Sequence, residues 1–225
     1  GARLNRRFNL IDLTQQRDWR ALRWRANQPG QPQTAQDNSY VLTEPAANLF
    51  QSLGSSGAAL GSQLADIPAS TWLWAGGAVL AASLLDNQVD KWAVNHQTPR
   101  WNRVGSIGKN LPVAMGAGSL LLYAGIAGPA AASTAETALI AGAYTIGASA
   151  LTRFAVGRAR PFEEQGHAQF DGFKGGAFQS GFPSNHVALA FALATPFAQK
   201  NDMPWLYGAA GLTALGRIQS RDHWL

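Results

Sequence analysis

The chain has 225 residues, enough to bury one substantial hydrophobic core with a small accessory segment beside it. Its formal net charge of +5 and pI near 10.0 suit an anionic substrate, a membrane surface or nucleic acid. The basic residues are divided among separate regions rather than gathered in one dense run, which argues against nucleic acid as a partner. There is no cysteine, so disulfides and thiolate metal sites are excluded.

Residues 1–66 differ in composition from the rest and are predicted to form a basic N-terminal arm and linker. Arg3 to Arg25 places Trp and Leu beside repeated Arg, a pattern typical of an amphipathic surface helix. Gln28 to Asn38 is polar and contains proline, as linkers do. The arm is expected either to anchor the chain at a membrane interface or to pack on the main domain, and we favour packing.

Residues 67–225 are a series of segments rich in Ala, Gly and Leu, without the alternating pattern typical of β-strands. They predict an all-α helical domain. Ile67 to Leu85 is uncharged over 19 residues and Asn110 to Ala135 over 26, long enough for two membrane spans. The mean hydropathy of −0.10 is low for an integral membrane protein, yet two such segments favour membrane-embedded helices. Three shorter segments fit buried helices or short spans: Thr137 to Thr152, Val187 to Gln199 and Met203 to Gly216.

A basic cluster, Arg153-Phe-Ala-Val-Gly-Arg-Ala-Arg160-Pro161, closes one of these apolar segments. We predict that it forms the last turns of a helix that Pro161 ends. Arg153, Gly157 and Arg160 would then share one face, where glycine removes bulk between two guanidiniums that suit phosphate oxygens. Arg158 lies off that face. The alternative is a solvated basic helix end, which the helix dipole favours.

A second segment, Gly181-Phe-Pro-Ser184-Asn-His186, directly precedes another apolar run. Ser184 fits the N-cap position of the helix that follows. The free N–H groups of Asn185, His186 and Val187 would then form an anion pocket at the positive end of that helix. Ordinary helix capping without any ligand is the alternative.

A third segment, Gly216-Arg217-Ile-Gln-Ser-Arg-Asp-His223, follows the last apolar run. If the helix ends near Ser220, Arg217 lies on its last turn and His223 on its exit, so both can face one cavity. A lone histidine in such a place is otherwise an exposed or core residue. Together, the three segments offer what metal-free phosphoryl transfer requires: cations for the oxygens, one imidazole to attack and one to protonate the leaving group.

In their order and spacing, the three segments resemble the signature of the superfamily of type 2 phosphatidic acid phosphatases and vanadium-dependent haloperoxidases. That signature reads Lys-x6-Arg-Pro, then Pro-Ser-Gly-His, then Ser-Arg-x5-His-x3-Asp, and the resemblance covers roughly residues 70–225. It implies a helical bundle of the acid phosphatase/haloperoxidase type, with His223 as the nucleophile that forms a phosphohistidine and His186 as the general acid. The groups implied to hold the phosphoryl oxygens are Arg153, Arg160, Arg217, Ser184 and the backbone N–H of Asn185, and Arg217 counts among the catalytic residues.

The chain departs from this signature at four places. Arg153 stands where the family has Lys, Asn185 where it has Gly, and Gly216 where it has Ser. The final Asp, which by analogy with a hydrolase triad orients the nucleophilic imidazole, would fall beyond Leu225. We expect the chain to be part of a longer protein, and expect loss of that acid to lower the rate by roughly 10² to 10⁴-fold.

Three functions follow. The first is metal-independent hydrolysis of a lipid-linked or isoprenoid phosphate, with no cofactor and no metal, in a membrane. By the resemblance, this is a bacterial inner membrane with the site facing outward. The second is a haloperoxidase, for which vanadate would be the cofactor. The third is a non-catalytic module that binds a phosphate-bearing lipid or a partner.

Other polar groups give weaker signals. Asp86 and Asp90 have the spacing of two ligands on one helix face, but the neighbouring Lys91 indicates a solvated helix end rather than a metal site. His96 is predicted to be structural. The loop between the first two segments is suited to substrate selection, and its polar residues are Glu163, Glu164, His167 and Lys174.

Overall fold

The computed structural model describes residues 37–174 and 180–225, apart from the side chains of residues 37–47 and 58. These ranges contain seven α-helices and no strand, so the all-α prediction is confirmed for them. The helices are α1 (Asp37–Ala65), α2 (Ala69–Ser83), α3 (Asp86–Asn95), α4 (Pro99–Tyr123), α5 (Pro129–Val156), α6 (Asn185–Lys200) and α7 (Trp205–Gln219). A 3₁₀ turn covers Pro161–Glu163, and one isolated β-bridge joins Arg158 to Phe170.

The chain divides into two compact units, residues 1–44 and residues 45–225. The second unit carries all three of the segments described above. The boundary predicted at residue 66 differs from this division, and residue 66 directly follows α1, a helix that was not predicted. The predicted surface helix Arg3 to Arg25 and nearly all of the linker Gln28 to Asn38 lie outside the described residues.

Helices α4 to α7 pack against one another as a bundle, and α3 rests on α7. The centre of the bundle is made of small side chains, Ala190 and Ala194 from α6 and Ala210 from α7, with Met115 and Leu206 packed around them. Small side chains allow helix axes to approach closely, because the interaxial distance depends on the residues at the contact. The abundance of Ala in the sequence is therefore used for close packing.

The closest approach between α4 and α7 is made by glycine. A Cβ added to Gly216 would lie 2.9 Å from the Cα of Gly108, and one added to Gly108 would lie 2.5 Å from the carbonyl oxygen of Leu212. A side chain at either position would push the two helices apart. The absence of Ser at Gly216 thus has a packing reason, and the contact fixes the last turn of α7, which carries Arg217.

The second half of α1 is tied to α5 by side-chain hydrogen bonds. The hydroxyl of Ser52 donates to Glu136 Oε1 at 2.7 Å, and the hydroxyl of Tyr144 donates to the carbonyl oxygen of Leu53 at 2.5 Å. This part of the predicted arm is therefore packed on the bundle.

The predicted single span from Asn110 to Ala135 is wrong, because α4 ends at Tyr123 and α5 begins at Pro129. Gly125 and Gly128 make the turn between them with φ of 91° and 89°, a conformation that favours glycine. Among the described helices, α5 alone is long and apolar enough to cross a membrane. Helix α2, inside the other predicted span, has 15 residues and buries none of them.

Candidate active site

The three segments meet at one end of the bundle, where α5 and α7 end and α6 begins. A cavity of about 280 Å³ opens at this place. Ser184, Arg217 and His223 contribute to its lining, together with apolar residues such as Val187, Ala188 and Ile218. Polar groups that can bind an anion therefore lie beside an apolar surface.

The first segment does not form the continuous helix that was predicted. Helix α5 ends at Val156, because Gly157 adopts the left-handed conformation (φ 59°, ψ 34°) and donates its N–H to the carbonyl of Arg153 at 2.8 Å. A Cβ on Gly157 would lie 2.5 Å from the carbonyl of Asp171. The glycine therefore ends the helix and allows the main chain of Asp171 and Gly172 to pass close to it. Arg153, Gly157 and Arg160 do not share a helix face.

Arg160 reaches the site by a different path. It lies in extended backbone (φ −89°, ψ 154°) before the 3₁₀ turn, and its N–H donates to Glu163 Oε2 at 2.8 Å. Its guanidinium stacks 5.6 Å from the centre of the Phe162 ring. Arg160 and Arg217 nevertheless lie close enough to Arg153 for their charges to interact. The reversal of the chain after α5, rather than a helical repeat, brings these cations together.

The second segment begins a helix as predicted. Ser184 is the N-cap of α6, and its Oγ accepts the N–H of Val187 at 3.4 Å. Val187 is therefore not one of the free donors, which corrects that part of the prediction. The N–H groups of Asn185 and His186 have no acceptor among residues 37–174 and 180–225. These two donors point from the positive end of α6, where an anion is stabilised.

The third segment ends its helix at Gln219, with Ser220 as C-cap, in agreement with the prediction. The N–H groups of Asp222 and His223 both donate back to the carbonyl of Arg217, at 3.1 and 3.4 Å. This exit returns toward the last turn of α7. Arg217 and His223 are both buried, at 6% and 5% exposure, and both line the cavity.

The ring of His223 is held in one orientation. Its Nδ1 lies 2.8 Å from the carbonyl oxygen of Gly181. Because a carbonyl oxygen can only accept, Nδ1 carries the hydrogen in the neutral ring and Nε2 keeps the lone pair.

The surroundings of His223 favour the neutral form of the ring. Burial lowers the pKa of His223 to about 3. The Gly181 hydrogen bond opposes this shift, whereas three guanidiniums add to it, those of Arg217, Arg153 and Arg160. At neutral pH the ring is therefore an uncharged base with Nε2 deprotonated.

His186, in the first turn of α6, is half-buried and has a different environment. Burial lowers its pKa, and the charge of Arg217 lowers it further. Asp222 opposes this effect, while Lys109 and Arg153 add to it. An anion bound in the cavity would offset the three cations and make the ring easier to protonate.

Asp222 was not singled out in the sequence, although it directly precedes His223. Its Oδ2 forms a salt bridge with Arg217 Nη2 at 3.0 Å and accepts the hydroxyl of Ser220 at 2.5 Å. Arg217 Nε is buried without a hydrogen-bond partner among the described residues. One edge of the guanidinium is thus bound to Asp222, while its buried Nε–H is unpaired within the described part of the chain.

The prediction of a solvated helix end at Asp86 and Asp90 is wrong. Asp86 is 1% exposed and pairs with Arg158, while Asp90 receives two hydrogen bonds from Arg221, at 2.8 and 3.0 Å. The neighbouring Lys91 is exposed, as expected. Both carboxylates therefore bind arginine side chains.

The remaining polar residues of the first loop serve mainly structural contacts. The carbonyl of His167 accepts hydrogen bonds from Arg158, and Glu164 lies 3.8 Å from Arg221. His96 stacks on Trp92 at 4.8 Å and contacts its carbonyl, consistent with a structural role. Lys174 is exposed, and residues 175–179 lie outside the described part of the chain.

Comparisons with protein-family models, with curated proteins and with solved structures find no match for this chain.

Proposed function

We propose that the protein is a metal-independent phosphatase of the type 2 phosphatidic acid phosphatase kind, acting on a lipid-linked or isoprenoid phosphate. The observation that carries this proposal is the state of His223: a buried, neutral imidazole whose Nδ1–H is bound to Gly181, beside three guanidiniums. A nucleophile for phosphorus needs a lone pair and a fixed direction. The cations that surround it suit the charged oxygens of a phosphoryl group.

The reaction has two steps. In the first, Nε2 of His223 forms a bond to phosphorus, the ester P–O bond breaks, and His186 gives a proton to the leaving alkoxide. In the second, water attacks phosphorus while His186 takes a proton from that water. The P–Nε2 bond breaks, its electron pair returns to Nε2 of His223, and inorganic phosphate is released. The proposed ligands of the phosphoryl oxygens are Arg153, Arg160, Arg217, the Ser184 hydroxyl and the Asn185 N–H.

The lipid part of the proposal is supported by the apolar side of the cavity. Val187 and Ala188 on α6 face the same space as Ala214 and Ile218 on α7. Such a surface suits the first carbons of a chain attached to the phosphate. Helix α5 is long enough to cross a bilayer, and α2 exposes Trp72, Leu73 and Trp74. A bacterial inner membrane, with the site facing outward, is the proposed location.

The test is phosphate release from a long-chain lipid phosphate in detergent with EDTA present. We compare the wild-type chain with His223→Ala and with His96→Ala, a matched change of a histidine exposed on α3's exit. Release that survives EDTA, is retained in His96→Ala and disappears in His223→Ala supports the proposal. A phosphoryl group on the protein that is labile to acid and stable to base would identify the intermediate.

Other outcomes point to the other functions. Release that EDTA abolishes overturns the proposal, and so does no release by the wild type in an assay sensitive enough to detect a rate lowered about 10⁴-fold by the missing acid. Inorganic phosphate binding that survives His223→Ala without any turnover would indicate a binding module. Bromide oxidation by peroxide only after vanadate is added would indicate a haloperoxidase.

A further inference from the structure

Two buried charged residues outside the cavity, Asp86 and Arg158, contact two segments beside His223: the loop at residues 180–181 and residues 224–225. Asp86 begins α3 and Arg158 follows α5, and their side chains are 0% and 6% exposed. Arg158 Nη2 donates to Asp86 Oδ2. Its Nε and Nη2 also donate to the carbonyl of His167, at 3.0 and 2.8 Å. The guanidinium is thus held on two sides.

On one side, the main chain of Arg158 holds the loop that orients the imidazole, and the buried guanidinium, bound to Asp86 and to the carbonyl of His167, fixes the position of that main chain. The N–H of Gly181 donates to the carbonyl of Arg158 at 2.6 Å, and the N–H of Arg158 donates to Ser180 Oγ at 2.9 Å. The Ser180 hydroxyl donates in turn to the carbonyl of Phe182 at 3.0 Å. Gly181 therefore accepts the hydrogen bond of His223 with its carbonyl and donates its own N–H to the main-chain carbonyl of Arg158.

On the other side, the same pair holds the residues that follow the histidine. The N–H of Leu225 donates to Asp86 Oδ1 at 3.0 Å, and the guanidinium of Arg158 lies 5.4 Å from the centre of the Trp224 ring. Trp224 Nε1 donates to the carbonyl of Ala159, next to Arg158, at 2.7 Å. The backbone on which His223 sits is therefore fixed from its C-terminal side.

A buried ion pair is weak evidence for stability, because the desolvation of two charges offsets much of their attraction. Such pairs are better explained by the geometry that they enforce, and displacement of a reacting group by 1 Å lowers a rate by about 10²-fold. We propose that Asp86 and Arg158 are positioning residues for the nucleophile, which hold the Gly181 carbonyl and the 224–225 segment so that His223 keeps one ring orientation. For its kinetic readout, this inference rests on the proposed function.

The test uses Asp86→Asn and Arg158→Lys, with Glu136→Gln as the matched control. Glu136 is another largely buried carboxylate with a hydrogen-bonded partner, and it lies 17 residues before Arg153 on α5, about 25 Å along the helix axis. The ¹⁵N shifts of His223 report whether Nδ1 carries the hydrogen, whether or not the protein turns over substrate. Lipid phosphate hydrolysis gives kcat and KM, and thermal unfolding reports the stability of each variant.

We expect Asp86→Asn and Arg158→Lys to lose the single Nδ1–H tautomer and to lower kcat by about 10 to 100-fold, with KM nearly unchanged because the phosphate ligands are intact. Glu136→Gln should keep the tautomer and kcat even where it unfolds at a lower temperature. If Asp86→Asn does not fold, Trp224→Phe decides, since it keeps an aromatic ring at this position but removes the Nε1–H bond to the carbonyl of Ala159.

The inference is overturned if the folded variants keep both the Nδ1–H signature and kcat, or if Glu136→Gln lowers kcat equally. Absence of turnover by the wild type contradicts the proposed function instead. In that case the tautomer of His223 still decides the positioning role.

Discussion

The two histidines of the candidate site are held in different ways: His223 follows α7 and lines the cavity, whereas His186 lies in the first turn of α6 and is not among the lining residues. On the α7 side, His223 is buried, its ring is bound to Gly181, and the residues after it are bound to Asp86 and Ala159. On the α6 side, His186 is half-buried and its place is set by the N-cap Ser184. A fixed, neutral ring suits attack on phosphorus, and a ring that gains and loses a proton suits general acid catalysis. The roles proposed for the two imidazoles, nucleophile for His223 and general acid for His186, follow from these different environments.

The largest expected effect comes from the loss of His223. His223→Gln should lower kcat/KM by about 10⁴-fold or more for both a lipid phosphate and p-nitrophenyl phosphate, because every substrate needs the nucleophile. Steady-state assays on the two substrates measure this loss. A variant that retained high activity toward either one would show that His223 is not the attacking group.

The same substitution at His186, on α6, should affect the two substrates differently. His186→Gln is expected to lower hydrolysis of a lipid phosphate by about 10² to 10⁴-fold, because its alkoxide leaving group needs a proton. Hydrolysis of p-nitrophenyl phosphate should fall by only about tenfold or less, since nitrophenolate leaves unprotonated. Equal losses for the two substrates would contradict the assignment of His186 as general acid.

The pH dependence of kcat/KM distinguishes the two histidines further. As the proposed general acid, His186 must be protonated, and its pKa is lowered, so kcat/KM for a lipid phosphate should fall as the pH rises above a value below 6.5. As the proposed nucleophile, His223 must be neutral, so activity should fall on the acid side only near its pKa of about 3.

Removal of Asp222 tests the origin of the alkaline limit, because its carboxylate raises the proton affinity of His186. Asp222→Asn should move the alkaline limb of kcat/KM to lower pH. Asp202→Asn, an exposed residue after the far end of α6, should leave the profile in place. An unchanged or upward-shifted limb in Asp222→Asn would rule out this electrostatic role.

The smallest expected effect is on stability. Ser184→Ala removes the N-cap of α6 and should lower the free energy of unfolding by about 1 kcal/mol, or about 2 to 4 °C in the melting temperature. Ser62→Ala, which removes an exposed hydroxyl from α1, should change neither by a comparable amount. Thermal unfolding followed by circular dichroism compares them. Equal melting temperatures for the two variants would show that capping of α6 contributes little to the free energy of unfolding.

Local rules predicted the parts of the site that depend on neighbours in sequence. The N-cap at Ser184 and the end of α7 near Ser220 follow from helix-end chemistry, and the structure confirms both. Gly157 was misjudged, because the same residue type serves for close approach to a ligand and for a left-handed helix end. Only the backbone conformation distinguishes these uses.

Contacts between residues that are far apart in the chain could not be predicted from the sequence. Asp86 and Arg158 are separated by 72 positions, and the polar residues around Asp86 gave the pattern of a solvated helix end. Burial of that carboxylate follows from the packing of α3, the chain reversal after α5 and the exit of α7 at one place. No periodicity within a single segment carries that information.

The acceptor that orients His223 is a peptide carbonyl, and this determines how the site can be lost. A peptide group does not titrate between the pH limits expected here, so the tautomer of the ring does not depend on the protonation of its acceptor. Nor can any replacement of a side chain delete the oxygen. At Gly181 an added Cβ would lie 2.7 Å from the carbonyl of Ala159, so a mutation there would act by displacing the loop. The alignment of this imidazole is therefore vulnerable to backbone movement and indifferent to side-chain chemistry at the acceptor.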